Sequence, residues 1–184
     1  AIAAARAGAS TSFVCALGAD AGGTLARKLA TADGLALHAL DSQQPTGTAG
    51  IYVDARGRNS IVIGAGANAS LDVAFVESQA KAISHAGALL AQLESPLESI
   101  STALSLARAS GVTTMLNPAP ANAATTRELL ALADVITPNE TEFATLLARH
   151  DGERLEPEQI ATTDSSRLHG LCREILPQGS VVIT

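Results

Sequence analysis

Hydrophobic spacing changes character along the chain, and the changes mark out its elements. Residues 1–7 favour a helix by propensity, and Gly8 is placed to end it. Residues 11–17 are apolar and partly β-branched, which predicts a strand. Gly18-Ala-Asp-Ala-Gly-Gly23 then leads into a helix predicted over 24–31, with Asp20 near its cap. A different texture follows. Residues 35–40, 48–54 and 60–64 read as short strands, with 54–58 as a hairpin turn between the last two. Antiparallel ribbon inside an α/β chain is usually an insertion, so 35–64 is expected to form a small β lid or a clasp between subunits, with an edge extension of the main sheet as the alternative. The glycines of Gly64-Ala-Gly-Ala-Asn68 are read as serving a turn.

From Leu71 onward, strands and helices alternate. Helices are predicted over 72–84, 96–109, 125–132, 140–148 and 158–176, and strands over 86–93, 112–116, 135–136 and 181–183. Strands separated by helices of this length argue for right-handed β-α-β units and a parallel sheet. The fold class expected is therefore α/β: a doubly wound, mostly parallel sheet flanked by helices, with the antiparallel lid attached. At 184 residues, a single domain is expected. Both ends read as cut, the first inside a helix and the second where a strand should reach a loop, so an internal piece of a longer protein is expected.

Composition narrows the function. Hydrophobic residues make up 47% and charged residues 16%, the balance of a packed globular chain. Aromatics are only 2%, so the core must be aliphatic. A net charge of -6 leaves no basic footprint for nucleic acid. No apolar run reaches the roughly 18 residues of a membrane span, and the start lacks signal-peptide character. Cys15 and Cys172 lie far apart and form no metal-spaced pair; Cys15 reads as a small buried hydrophobe. A cytoplasmic location is the default.

The chemistry should sit beyond the carboxyl ends of the parallel strands. Three of them finish alike, in Gln92-Leu-Glu-Ser-Pro96, Leu116-Asn-Pro-Ala-Pro120 and Thr137-Pro-Asn-Glu-Thr-Glu142. Each places a polar side chain near a proline, so Glu94, Asn117, Asn139 and Glu142 are expected to converge on one rim. Pro138 stops its strand for want of an N–H. Asn139 and Glu142 stand at capping-box spacing, and a helix N-terminus also suits phosphate, so the pair admits both an ordinary cap and an anion site. Glu94 can accept hydrogen bonds from ligand hydroxyls or sit near a metal, and Glu142 could hold Mg²⁺ through water. His38, His85, His150 and His169 are scattered, and no nucleophile–base pair stands out. Carboxylates and amides without histidine or cysteine fit phosphoryl transfer, which needs positioning and electrostatics more than covalent chemistry.

These segments, with Ala1-Ile-Ala-Ala-Ala-Arg-Ala-Gly8, Thr46-Gly-Thr-Ala49 and Gly64-Ala-Gly-Ala-Asn-Ala69, resemble the ribokinase family of sugar kinases, in order and over essentially the whole chain. The resemblance implies ATP-dependent phosphorylation of the ribose 5-hydroxyl with Mg²⁺. Residue by residue, it implies sugar contact for Glu94, a place near the ATP phosphates for Asn139 and a role on the Mg²⁺–phosphate side for Glu142. It also implies that the ribbon is a lid and the contact of a homodimer. The family's catalytic base, anion hole and monovalent-cation (K⁺) site have no counterpart among these residues, so no catalytic residue is assigned and this stretch alone is not expected to be a competent kinase. The rival readings are a related kinase for another sugar or nucleoside, a nicotinamide-dependent dehydrogenase using Gly18–Gly23, and a non-catalytic fragment or homologue. The dehydrogenase suffers because the glycines do not follow G-x-G-x-x-G.

Overall fold

The opening helix is short: α1 (Ile2–Arg6) gives way at Gly8, whose φ of +94° lies in the left-handed region. β1 (Ser12–Gly18) and β2 (Ala36–Ser42) are joined through α2 (Ala21–Ala32) and pair in parallel, from Ser12↔Ala36 to Gly18↔Ser42. The pairing of β2 corrects the sequence expectation, which placed 35–40 with the ribbon. A twelve-residue helix between two strands is a crossover, and a crossover returns the chain parallel, whereas a hairpin would need a tight turn. The antiparallel ribbon is therefore narrower than 35–64. It consists of β3 (Thr48–Val53) and β4 (Asn59–Gly64), paired from Thr48↔Gly64 to Val53↔Asn59. Its tip is the predicted turn: Asp54 Oδ1 accepts from the N–H groups of Arg56 and Arg58, at 2.8 and 2.9 Å.

The computed structural model describes residues 1–122 and 125–184. They fall into two compact units, Ala1–Gln79 with Glu94–Pro96, and Ala80–Leu93 with Leu97–Thr184, where one domain was expected. The predicted helix over 72–84 is two pieces, α3 (Val73–Ser78) and α4 (Ala80–Ser84), and the boundary falls at this break. Two neighbouring polar groups account for it. The Ser78 hydroxyl bonds back to the Phe75 carbonyl at 2.6 Å, and the Gln79 N–H turns to Val76 at 3.0 Å, three residues back.

The second unit carries a four-stranded sheet, all parallel, in the order β5 (Ala88–Ala91), β6 (Thr113–Leu116), β7 (Val135–Ile136) and β8 (Ser180–Val181). Its helices are α5 (Leu97–Ala109), α6 (Arg127–Leu130), α7 (Glu140–His150), α8 (Pro157–Thr162) and α9 (Ser165–Ile175). The predicted helix over 158–176 breaks between α8 and α9. Asp164 would otherwise lie in a helix interior; instead it caps α9, accepting from the N–H groups of Ser166 and Arg167. The core is aliphatic, as the composition requires. Leu104, Leu116, Ile136, Phe143, Leu146 and Leu147 are fully buried in one cluster. In α7 these are positions i, i+3 and i+4, one stripe facing the sheet. Among the described residues, no helix is long and apolar enough to cross a membrane.

Candidate active site

The carboxyl ends of β5, β6 and β7 are stitched together past their last ladder residues. Asn117 N–H donates to the Ala91 carbonyl at 2.9 Å, Leu93 N–H to Ala119 at 3.1 Å and Thr137 N–H to Leu116 at 3.1 Å. Asn117-Pro118-Ala119 thus runs between Gln92-Leu93 on one side and Thr137-Pro138 on the other. Pro118 and Pro138 are fully buried and stop their strands without leaving an unmet N–H. The Pro138 carbonyl, beyond the end of β7, accepts from Thr184 N–H at 3.0 Å.

Asn139 opens α7. Its Oδ1 accepts from the Glu142 N–H at 2.8 Å, and Glu142 Oε2 accepts from the Asn139 N–H at 2.9 Å. Both members of the capping box are present. Asn139 is exposed and Glu142 half-buried, so the capped N-terminus faces open space at the strand ends. The cap engages one oxygen of Glu142 and one atom of the Asn139 amide. The second carboxylate oxygen and the amide NH₂ keep their capacity to accept and to donate.

Asn117 differs from both. Its Oδ1 is buried and has no hydrogen-bond partner among the described residues. A buried carbonyl oxygen left unmet costs about 1–3 kcal/mol, so the place is suited to a donor the chain does not itself supply. The position was legible as a strand-end amide; the missing partner was not, because it depends on packing around the two buried prolines.

Glu94 follows β5 by three residues and is exposed. Segment Glu94–Pro96 groups with the first unit, so the rim seen within the second unit has three members, Asn117, Asn139 and Glu142, rather than the four expected. No cluster of three or more His, Cys, Asp or Glu side chains suited to a metal occurs among the described residues. Mg²⁺ does not need one. It keeps several waters and is held by one or two carboxylates plus substrate phosphates, so Glu142 is a fitting donor.

The remaining reactive side chains have other work. Burial pushes the thiols of Cys15 and Cys172 up, which makes them poor nucleophiles. His150 hydrogen-bonds the Thr125 carbonyl through Nε2 at 2.8 Å, and burial holds its pKa below the usual value. Asp20 occupies the N-terminus of α2, accepting from the Gly23 N–H at 2.8 Å. A carboxylate seated there leaves no room for a dinucleotide phosphate, which counts against the dehydrogenase reading. A cavity of about 460 Å³ in the first unit is lined by apolar side chains such as Phe13, Leu29 and Leu37, and none of the candidate residues reaches it.

A parallel α/β sheet with amides and carboxylates at its strand ends, and a separate antiparallel ribbon, fits a carbohydrate-kinase fold. The chain belongs to the pfkB family of carbohydrate kinases, whose family model matches residues 1–169. It is 38% identical over 171 residues to the ribokinase of Haemophilus influenzae, covering 92% of this chain and 54% of that protein. It is 44% identical over 148 residues to a bifunctional ribokinase/ribose-5-phosphate isomerase A of Fructilactobacillus sanfranciscensis, covering 79% of this chain and 27% of that one. Arabidopsis thaliana ribokinase, solved with ribose and ATP, superposes over 100% of this chain and 57% of its own with a TM-score of 0.79 at 25% identity. The chain spans about half the length of each of these two ribokinases, from Haemophilus influenzae and Arabidopsis thaliana.

Proposed function

We propose that the protein carrying this chain is an ATP-dependent sugar kinase that transfers the γ-phosphate of ATP to the 5-hydroxyl of D-ribose. The observation that carries the reading is the Asn139–Glu142 pair at the N-terminus of α7, with the unpaired oxygen of Asn117 at the end of the neighbouring strand β6. In the reaction the sugar oxygen attacks the γ-phosphorus, the bond from that phosphorus to the β,γ-bridging oxygen breaks, and ADP leaves. The hydroxyl proton passes to a base, a role this scheme does not give to Glu94, Asn139 or Glu142.

Each residue present has a task in that scheme. Glu94, exposed and anionic, accepts hydrogen bonds from sugar hydroxyls. The Asn139 amide NH₂ donates to phosphate oxygens at a helix N-terminus, where the dipole also favours negative charge. The free oxygen of Glu142 accepts from water held by Mg²⁺. Mg²⁺ held there would supply positive charge against the phosphates. Asn117 Oδ1 takes an O–H from the bound reactants. The monovalent cation expected for this family belongs to residues outside this set.

The ribbon β3–β4 serves as a lid over the sugar and as the contact of a homodimer. Its apolar side chains support this reading: Ile51, Val53, Ile61 and Val62 are each more than half exposed. The cytoplasm is the compartment that supplies ATP and keeps two free thiols reduced.

The test is ADP release by the full-length gene product, with D-ribose, 2-deoxyribose and adenosine offered in turn. Release that depends on ribose and on Mg²⁺ supports the proposal. Preference for another member of the panel moves the protein to a related kinase. An intact mass of 18.6 kDa for the natural product, with no release, makes the chain a non-catalytic homologue.

A further inference from the structure

Two features of the first unit have no part in the scheme above: the glycine-rich stretch 18–23 and the Thr46-Gly-Thr-Ala49 segment. The fold ties them to each other. Asp20 lies 26 residues from Thr46, yet its Oδ2 accepts from the Thr46 N–H and its Oδ1 from the Thr46 hydroxyl, both at 2.7 Å. The Thr46 hydroxyl oxygen in turn accepts from the Gly18 N–H at 3.1 Å. One carboxylate thus caps α2 and grips the strap 44–47, which leads straight into β3. These bonds hold Asp20 at a pKa of about 2, the Gly23 N–H contributing most and the Thr46 hydroxyl next.

The strap is also held from the far end of the ribbon. The Pro45 carbonyl accepts from the Ala67 N–H at 2.7 Å, in the 3-10 turn Gly66–Ser70 that follows β4. Ser70 and Ser42 share a hydroxyl hydrogen bond at 2.9 Å, and Ser42 Oγ accepts from Gln44 N–H at 3.0 Å. Backbone packs on backbone here. A Cβ at Gly18 would lie 2.6 Å from both the Gln44 oxygen and the Thr46 nitrogen, and one at Gly66 would collide with the Pro45 carbonyl oxygen. The two roots of β3–β4 are therefore tied to one another and to the end of β1, with Asp20 at the centre. Apart from this root, among the described residues β3 and β4 pair only with each other, and they are exposed along their whole length.

We propose that Asp20 is a positioning residue for sugar phosphorylation: by clamping Thr46 it fixes the root from which the ribbon springs, so that the ribbon closes over the sugar in one register. This rests on the reading of β3–β4 as the lid. It assigns the glycines of 18–23 to close packing against the strap and not to a cofactor.

Three variants of the full-length protein test it. Asp20→Asn keeps an oxygen for the Gly23 N–H, so α2 stays capped, but replaces an acceptor of Thr46 by a donor. Thr46→Val removes the hydroxyl at near-constant shape, and Thr46→Ser restores it. The readouts are KM for ribose, KM for ATP, kcat, and amide hydrogen exchange of residues 44–67. Asp20→Asn and Thr46→Val are expected to raise the ribose KM about tenfold with a fall in kcat, while the ATP KM stays within about twofold. Exchange at Ala67 and along the ribbon rises, and Thr46→Ser behaves as the parent does. Faster exchange with an unchanged ribose KM overturns the proposal, since the clamp would then be structural only. Unchanged exchange overturns it as well, since the clamp would not hold the root. If Asp20→Asn fails to fold, the contrast between Thr46→Val and Thr46→Ser decides. A parent protein that releases no ADP with any sugar sinks the kinase reading instead, and the exchange data alone then judge the clamp.

Discussion

Asn139 and Glu142 hold each other: each side chain accepts the other's backbone N–H, at 2.8 and 2.9 Å. The bonds of an ordinary helix cap thus fix the two side chains that the proposed mechanism places beside phosphate and Mg²⁺, and the two roles can be separated by substitution. Glutamine at the third helical position closes a capping box as glutamate does, so Glu142→Gln should leave thermal stability nearly unchanged. It removes the charge that the proposal sets toward Mg²⁺, so turnover of the full-length protein should fall far more than sugar affinity. Asn139→Ala should lose the cap, at about 1 kcal/mol, together with the proposed phosphate contact. Thermal melts paired with steady-state kinetics check both. Unchanged turnover in Glu142→Gln would remove that residue from the mechanism.

Asn117 gives a sharper separation of stability from function. A buried acceptor without a partner destabilises the free protein, so replacing it by an apolar residue of similar size should be neutral or stabilising in the absence of ligand. The same change, Asn117→Leu, should weaken binding of whichever reactant donates to it. A rise in the ribose KM identifies a sugar hydroxyl, and a rise in the Mg²⁺ concentration for half-maximal rate identifies metal-held water. Loss of stability with intact kinetics would make Asn117 a structural residue.

How much of this was open to a reader of the sequence varies with the range of the interaction. The cap at Asn139 and the hairpin at Asp54 are local devices, and their residues announce them. The parallel strands of the second unit follow from their alternation with helices. The partner of β2 was misread because 35–40 looks the same whether it pairs with β1 or with 48–53; only the crossover through α2 decides. The break at Asp164 was legible and was passed over: Thr162-Thr-Asp-Ser-Ser-Arg167 is a polar run with no apolar position, and its aspartate prefers a cap to a helix interior. The clamp of Asp20 on Thr46 spans 26 residues, and no local pattern encodes it.

Asp134 and Thr114 show where acid should act on the second unit. Asp134 Oδ2 accepts from Thr114 N–H at 2.9 Å and from its hydroxyl at 3.0 Å, and Oδ1 accepts from Arg108 at 3.0 Å. The Thr114 backbone bond, with help from its hydroxyl and from Arg108, holds the Asp134 carboxyl below its ordinary value of 3.8. Folding then favours the ionised form. The stabilisation is complete above pH 3.8 and is lost as the pH falls through the depressed value. Asp134→Asn should flatten that part of the acid-unfolding curve, and an unchanged curve would count against the linkage. Thr114 is fully buried and also donates to the Leu132 carbonyl at 2.8 Å. Thr114→Val should therefore cost about 1–3 kcal/mol in urea unfolding, and Thr114→Ser less.

The ribbon offers the last prediction, because its register sorts its side chains. Ile51 stands opposite Ile61 and Ala49 opposite Ile63, and alternation places Val53 on that same face. The other face carries Tyr52 and Val62 among Gly50, Ser60 and Gly64. Both faces are open, yet one is almost wholly aliphatic, with Ile51 62% and Val53 65% exposed. An isolated two-stranded ribbon is marginal in water, and an apolar face of this kind calls for cover. The proposed homodimer supplies it from a second copy. A lysine in the middle of that face, as in Ile61→Lys, should leave the strand pairing and the aspartate turn in place while placing an unpaired charge in the dimer contact. Sedimentation of the full-length protein should then show monomer at concentrations where the parent is dimeric. Ser60→Lys, on the opposite face, should leave the dimer intact. If both variants sediment as the parent does, the aliphatic face is not the contact. If Ser60→Lys alone dissociates, the dimer uses the tyrosine face.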